Sequence, residues 1–148
     1  MNPNSINDNY YDLNSLQELA HELALEIKAG DKIGLIGPLG SGKTTFVQFL
    51  FEALGGNPNY QVTSPTFNLV NEYLTSKGSL LHVDLYRLQN IHEWDSLDLD
   101  SKSDGKIIVI EWANKFTELK SYFNIILTFN YDLEDHLRKI KVLRNNVV

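Results

Sequence analysis

Gly37-Pro38-Leu39-Gly40-Ser41-Gly42-Lys43-Thr44 reads G-x-x-x-x-G-K-T, the spacing of a phosphate-binding loop. Just before it, Lys32-Ile33-Gly34-Leu35-Ile36 has the make-up of a short buried strand. From Lys43 onward, Phe46, Phe49, Leu50 and Leu54 recur at helical spacing until Gly55-Gly56 stops the helix. Strand, glycine loop and helix is the order the chemistry requires. Glycines let successive backbone N–H groups turn inward, and the helix start adds the positive end of its dipole. Pro38, Leu39, Gly40, Ser41, Gly42, Lys43, Thr44 and Thr45 are therefore the expected cradle for a polyphosphate. In such a loop the lysine, here Lys43, reaches the terminal phosphates and serves catalysis as well as binding, while the Thr44 hydroxyl is one ligand of a magnesium ion. The plain alternative is a glycine-rich turn with a threonine capping the helix.

Composition narrows the classes around this loop. A chain of 148 residues is long enough for one domain with a sizeable core and too short for two. With 43% hydrophobic and 11% aromatic residues it has the balance of an ordinary globular protein. No stretch has the apolar length of a membrane span, and the polar, asparagine-rich residues 1–12 are expected to be a mobile lead-in. The absence of cysteine excludes a disulfide framework and a thiolate zinc site, and it agrees with a cytoplasmic location. A formal charge of −6 argues against a broad surface for nucleic-acid phosphates, so any RNA would be held by a partner.

Upstream of the loop, Ser15-Leu16-Gln17-Glu18 has capping-box spacing and predicts a helix from Ser15, with Leu16, Leu19, Ala20, Leu23 and Ile27 as its apolar stripe and Gly30 as its stop. Downstream, Phe67–Tyr73 and Leu80–Tyr86 read as two strands joined at Lys77-Gly78, and the short connection predicts antiparallel pairing. Thr63, Ser64 and Thr66 place three hydroxyls around Pro65, which on their own are turn chemistry more often than phosphate or metal contacts.

Two carboxylates end apolar runs. Asp84 stands where phosphoryl-transfer enzymes position magnesium or an attacking water, the alternative being an aspartate that caps the next turn. Arg87 follows and either anchors that turn or pairs with Asp84, while His82 shares the strand face of Asp84 and reads as structural. Glu111 ends the buried strand Ile107–Trp112 and is the second metal candidate, with Trp112 either over the site or in the core. The acidic stretch 91–104 reads as a solvated surface, and residues 123–143 as a terminal hairpin. The sum is an α/β fold, parallel near the phosphate loop and antiparallel at its margins.

Residues 37–46, Thr-Ser-Pro-Thr-Phe at 63–67, His-Val-Asp-Leu-Tyr-Arg-Leu at 82–88 and Ile-Glu-Trp at 110–112 together resemble the TsaE family, also called YjeE or YdiB. The likeness runs from the first helix to the last hairpin. It implies a P-loop NTPase-like sandwich with a mixed, mainly parallel central sheet. It further implies an ATPase that works with TsaD and TsaB to form threonylcarbamoyladenosine in tRNA, the tRNA being engaged through those partners. ATP and magnesium are then the cofactors, Thr44 and Glu111 the magnesium ligands, Asp84 the group that positions water, and Thr63, Ser64 and Thr66 a switch-like loop in place of turn chemistry. Three departures stand out: Ala113-Asn114-Lys115 follows the Glu-Trp pair, the family's Gly-Arg pair has no counterpart among Glu134, Asp135 and His136, and 95–104 is acidic.

Three rivals remain to be weighed. A GTPase would need Asn-Lys-x-Asp, but Asn114-Lys115 is followed by Phe116 and Thr117. A small P-loop kinase would need several arginines, and this chain has Arg87, Arg138 and Arg144. The third is an assembly module in which nucleotide orders a loop for a partner and hydrolysis is incidental. Because Arg87 is the arginine near the motifs in sequence, slow hydrolysis is expected until partners complete the site.

Overall fold

The computed structural model describes residues 4–65, 67–132 and 137–145. Their order is β1 (Asn4–Tyr11), α1 (Leu13–Glu26), β2 (Lys32–Ile36), α2 (Lys43–Ala53), β3 (Val70–Thr75), β4 (Gly78–Asp84), α3 (Ile91–Ser96), α4 (Leu99–Lys102), β5 (Ile107–Glu111), β6 (Ile125–Asp132) and β7 (Leu137–Asn145), with a single 3-10 turn at Thr117–Leu119. The strands form one sheet in the order β1-β7-β6-β2-β5-β4-β3. β2 runs parallel to both β5 and β6, and β4 runs parallel to β5. The outer pairs β3–β4, β6–β7 and β1–β7 are antiparallel. Parallel strands inside and antiparallel strands at the margins match the expected architecture.

Period-two side-chain alternation divides the apolar residues between the two faces of the sheet. Ile107 and Val109 of β5 join a core with Leu16 and Leu23 of α1 and Phe46 and Leu50 of α2. Ile108 and Ile110 join a second core with Leu81, Val83 and Phe123. All five residues of β5 are buried, which is why this strand reads as a continuous apolar run.

Four local expectations change. Residues 4–11, expected as a mobile lead-in, form an edge strand paired along β7 from Asn4 opposite Asn145 to Tyr11 opposite Arg138. An edge strand takes its stability from the ladder of main-chain bonds, so its polar sequence conceals it. The first helix is capped by Asp12, and Ser15 supplies the returning bond: Ser15 N–H donates to Asp12 Oδ1 at 2.8 Å and Asp12 N–H to Ser15 Oγ at 2.9 Å. The capping box is therefore real but set three residues earlier than Ser15 predicts. Strand β3 begins at Val70, since Phe67 is 85% exposed and Leu69 takes the left-handed conformation with φ 61. The acidic stretch is only partly a solvated face, because Leu97 and Leu99 anchor it in the second core. The turn of the last hairpin, 133–136, lies outside the described residues. Among the described residues no helix is long and apolar enough to cross a membrane.

Candidate functional site

Because β2, β4 and β5 are parallel, their carboxyl ends open on one edge of the sheet, where ligands of such sheets bind. β2 delivers the phosphate loop there, and the register sets Asp84 at the end of β4 beside Glu111 at the end of β5. The loop curls through left-handed glycines, Gly40 at φ 78 and Gly42 at φ 106, the latter forming the N-cap of α2. A cleft of about 210 Å³ results, lined by Pro38 through Thr45 together with Ser64, Asp84, Glu111, Trp112 and Arg138. All eight cradle residues expected from sequence line it.

Lys43 is buried, and its Nζ donates to the carbonyls of Gly37 and Pro38, the latter at 3.2 Å. Burial lowers its pKa, while the charges of Glu111 and Asp84 pull the other way. The ammonium lies 4.2 Å from the centroid of the Trp112 ring, whose other neighbour is Tyr86 at 4.9 Å. Of the two alternatives for Trp112, the structure favours the one over the site.

Thr44 Oγ1 donates toward Glu111 at 3.1 Å to Oε1 and 3.2 Å to Oε2, and lies 2.7 Å from Ser64 Oγ. Ser64 Oγ reaches Glu111 Oε2 at 3.3 Å. Two hydroxyls and a buried carboxylate thus converge beside the loop, an all-oxygen set of the kind magnesium takes when phosphate and water complete the shell. Among the described residues no group of three or more His, Cys, Asp or Glu is arranged to hold a metal. The Ser41 hydroxyl is buried inside the loop without a hydrogen-bond partner among the described residues, and a Cβ at Gly37 would come within 2.8 Å of it. These features fit a polyphosphate and its magnesium.

Asp84 shows both faces of its sequence reading. Its Oδ1 accepts the Tyr86 N–H at 2.8 Å, the turn-capping role, and the same carboxylate lines the cleft. Burial pushes its pKa up, the Tyr86 N–H opposes this and the Glu111 charge reinforces it. Of the switch-like loop, Ser64 enters the site. Thr63 is exposed, and its carbonyl lies 3.1 Å from the Tyr73 hydroxyl. Thr66 lies outside the described residues.

The arginine at the loop is Arg138, not Arg87. Arg138 Nε donates to the Ser41 carbonyl at 2.9 Å from β7, whereas the Arg87 guanidinium lies 5.0 Å from the Phe67 ring centroid on another groove. Sequence distance hid Arg138, 97 residues from Ser41. It also supplies an arginine from the last hairpin, where none was found at 134–136. His82, read as a structural residue, is fully buried and hydrogen-bonded, its Nε2 2.6 Å from Glu111 Oε2, and this contact brings it to the site. The available signal was strand parity: His82 shares a face with Asp84, and Asp84 pairs with Glu111.

The model of the family described as "Threonylcarbamoyl adenosine biosynthesis protein TsaE" matches residues 10–140. A protein of Aquifex aeolicus called tRNA threonylcarbamoyladenosine biosynthesis protein TsaE is 39% identical over 127 residues, 86% of this chain and 87% of its own length. A protein of the same name from Synechocystis is 37% identical over 126 residues, covering 82% of this chain and 78% of its own. The crystal structure of Bacillus subtilis YdiB superposes with a TM-score of 0.64 at 24% identity, over 95% of this chain and 87% of that one, and this likeness speaks to the fold. The chain, with its phosphate loop, mixed sheet and paired strand-end carboxylates, belongs to the TsaE family.

Proposed function

We propose that this chain binds ATP with magnesium, hydrolyses it slowly on its own, and supports TsaD and TsaB in forming threonylcarbamoyladenosine in tRNA. The observation that carries the reading is the meeting of Thr44, Ser64 and Glu111 beside the phosphate loop, with Thr44 Oγ1 3.1 Å from Glu111 Oε1. The curated relatives are named for threonylcarbamoyladenosine biosynthesis, and that name supplies the pathway. In this reading the protein acts in the cytoplasm, in keeping with a chain that has no cysteine.

In this reading the N–H groups around Gly40, Ser41 and Gly42 cradle phosphate oxygens, and Lys43 supplies positive charge to the phosphoryl group being transferred. Thr44 and Glu111 would hold magnesium, which when bound would supply positive charge to offset the charge that develops on the phosphates. Asp84 orients the attacking water from the neighbouring strand end, acting as a hydrogen-bond acceptor. Arg138 braces the loop through Ser41. Its Nε is committed to that carbonyl, so partners still have charge to add, and a supplied arginine is worth about 10³ to 10⁵ in rate.

A second reading has an observation of its own. Ser64 touches Thr44 and Glu111, while Phe67, three residues on, is 85% exposed, so one residue of the segment sits in the site and another at the surface. Nucleotide would then control assembly, with hydrolysis as its reset. A kinase is disfavoured: of the three arginines only Arg138 lines the cleft, and Arg144 pairs with Glu26 at 2.7 Å.

ATP turnover measured with and without TsaD and TsaB separates these readings. Stimulation by the partners, and its loss in Glu111→Ala together with loss of complementation, is the expected result. Absence of stimulation with full complementation by Glu111→Ala would remove hydrolysis from the function. Lys43→Ala should abolish ATP binding, and retained affinity would refute the site itself.

A further inference from the structure

We propose that His82 is a positioning residue which, with Tyr73, ties the orientation of the Glu111 carboxylate to the place of the Thr63–Ser64 segment; this rests on the magnesium–ATP reading above. His82 is wholly buried in the middle of β4 between Leu81 and Val83. A buried imidazole without hydrogen bonds is costly, and this one is directed at two polar groups. Its Nε2 lies 2.6 Å from Glu111 Oε2, and its Nδ1 lies 3.5 Å from the Tyr73 hydroxyl.

Asn71 Nδ2 donates to the Thr63 carbonyl at 3.3 Å and to the Tyr73 hydroxyl at 3.2 Å, which leaves the single Tyr73 proton for His82 Nδ1, while the hydroxyl itself lies 3.1 Å from the same carbonyl. The next residue, Ser64, touches Glu111 directly at 3.3 Å. Thr63 and Ser64 are therefore joined to one carboxylate by two routes, one short through the serine hydroxyl and one long through Tyr73 and His82. A closed circuit of this kind limits rotation of the carboxylate. It also means that any ligand which turns Glu111 bears on both ends of the segment. Groups that orient a metal-binding carboxylate in this manner typically change metal affinity by about 10- to 100-fold when removed. A histidine that merely fills the core would leave metal dependence untouched.

The test uses the full chain and calorimetric titration of ATP, once with magnesium and once in chelator. His82→Met should weaken binding in magnesium by about tenfold while leaving metal-free binding unchanged. His82→Gln, which returns an N–H near the Nε2 position, should recover most of the loss. Tyr73→Phe cuts the circuit at its far side and should raise hydrogen exchange at the Val62 to Ser64 amides in the magnesium–ATP complex. Thermal unfolding of the same samples separates folding defects from metal effects. Wild-type magnesium dependence in a folded His82→Met overturns the proposal, and so does wild-type loop protection in Tyr73→Phe, which stands even if the methionine variant fails to fold. A wild-type protein whose ATP affinity ignores magnesium would overturn the site reading along with it.

Discussion

Gly42→Ala perturbs the phosphate loop in a way the structure allows to be divided. Gly42 sits at φ 106, where an L side chain is strained by about 1–3 kcal/mol. Its new Cβ would also lie 2.6 Å from Arg138 Nε and 3.0 Å from Arg138 Cδ. Arg138 is a long side chain and can withdraw, but in doing so it gives up the 2.9 Å bond to the Ser41 carbonyl. A charge-assisted bond at a partly buried site is worth about 1–2 kcal/mol. Gly42→Ala therefore carries both costs, about 2–5 kcal/mol, and Arg138→Ala carries only the second. In the double variant the bond is lost once, so the two effects fall short of additivity by about 1–2 kcal/mol. Urea unfolding of the four proteins without nucleotide, analysed with a common slope, gives the coupling directly. Additivity within about 0.5 kcal/mol would show that residue 42 does not meet Arg138 and would remove the arginine from the loop.

Two further outcomes test the framework. Phe46 is fully buried on α2, edge-on to Phe129 with ring centroids 6.0 Å apart, and Phe46→Ala should cost about 3–5 kcal/mol with an unchanged urea slope; a loss below about 1 kcal/mol would contradict the packing. Burial pushes the Tyr122 phenol up to about 12 from 10.0, with the Asp100 charge adding to it. The folded chain then holds this proton longer than the unfolded one. The resulting loss of stability begins as pH rises past 10.0, is complete once pH has passed about 12, and should be missing from Tyr122→Phe. Since the hydroxyl has no hydrogen-bond partner among the described residues, Tyr122→Phe should be no less stable at neutral pH, and parallel alkaline unfolding curves for the two proteins would refute the burial argument.

What could be read in the sequence was whatever depends on near neighbours. The phosphate loop is a contiguous motif whose glycines, lysine and threonine have local jobs, and β5 announces itself because burial on both faces demands an unbroken apolar run. Asp84 and Glu111 were found as ends of such runs, and strand register then set them side by side. Ser64, His82 and Arg138 were harder for a common reason. Each acquires its role from a partner 20, 29 or 97 residues away, and beyond the strand face that His82 shares with Asp84 the local pattern does not record that pairing. Strand β1 was missed on different grounds, since an edge strand in which Asn, Ser and Asp outnumber Ile6, Tyr10 and Tyr11 lacks the alternation by which strands are usually recognised.

That strand has a practical side. β7 carries Arg138 and would be the border of the sheet if β1 were removed, with Tyr11 the residue paired opposite the arginine. A fragment starting at Leu13 would keep every motif residue and still uncover a nine-residue edge, Leu137–Asn145, that includes Ile140 and Val142. Open edges of this type invite pairing with other chains. Trimming the N-terminal dozen residues to obtain a tidier protein should therefore yield one that self-associates and grips its phosphate loop less firmly.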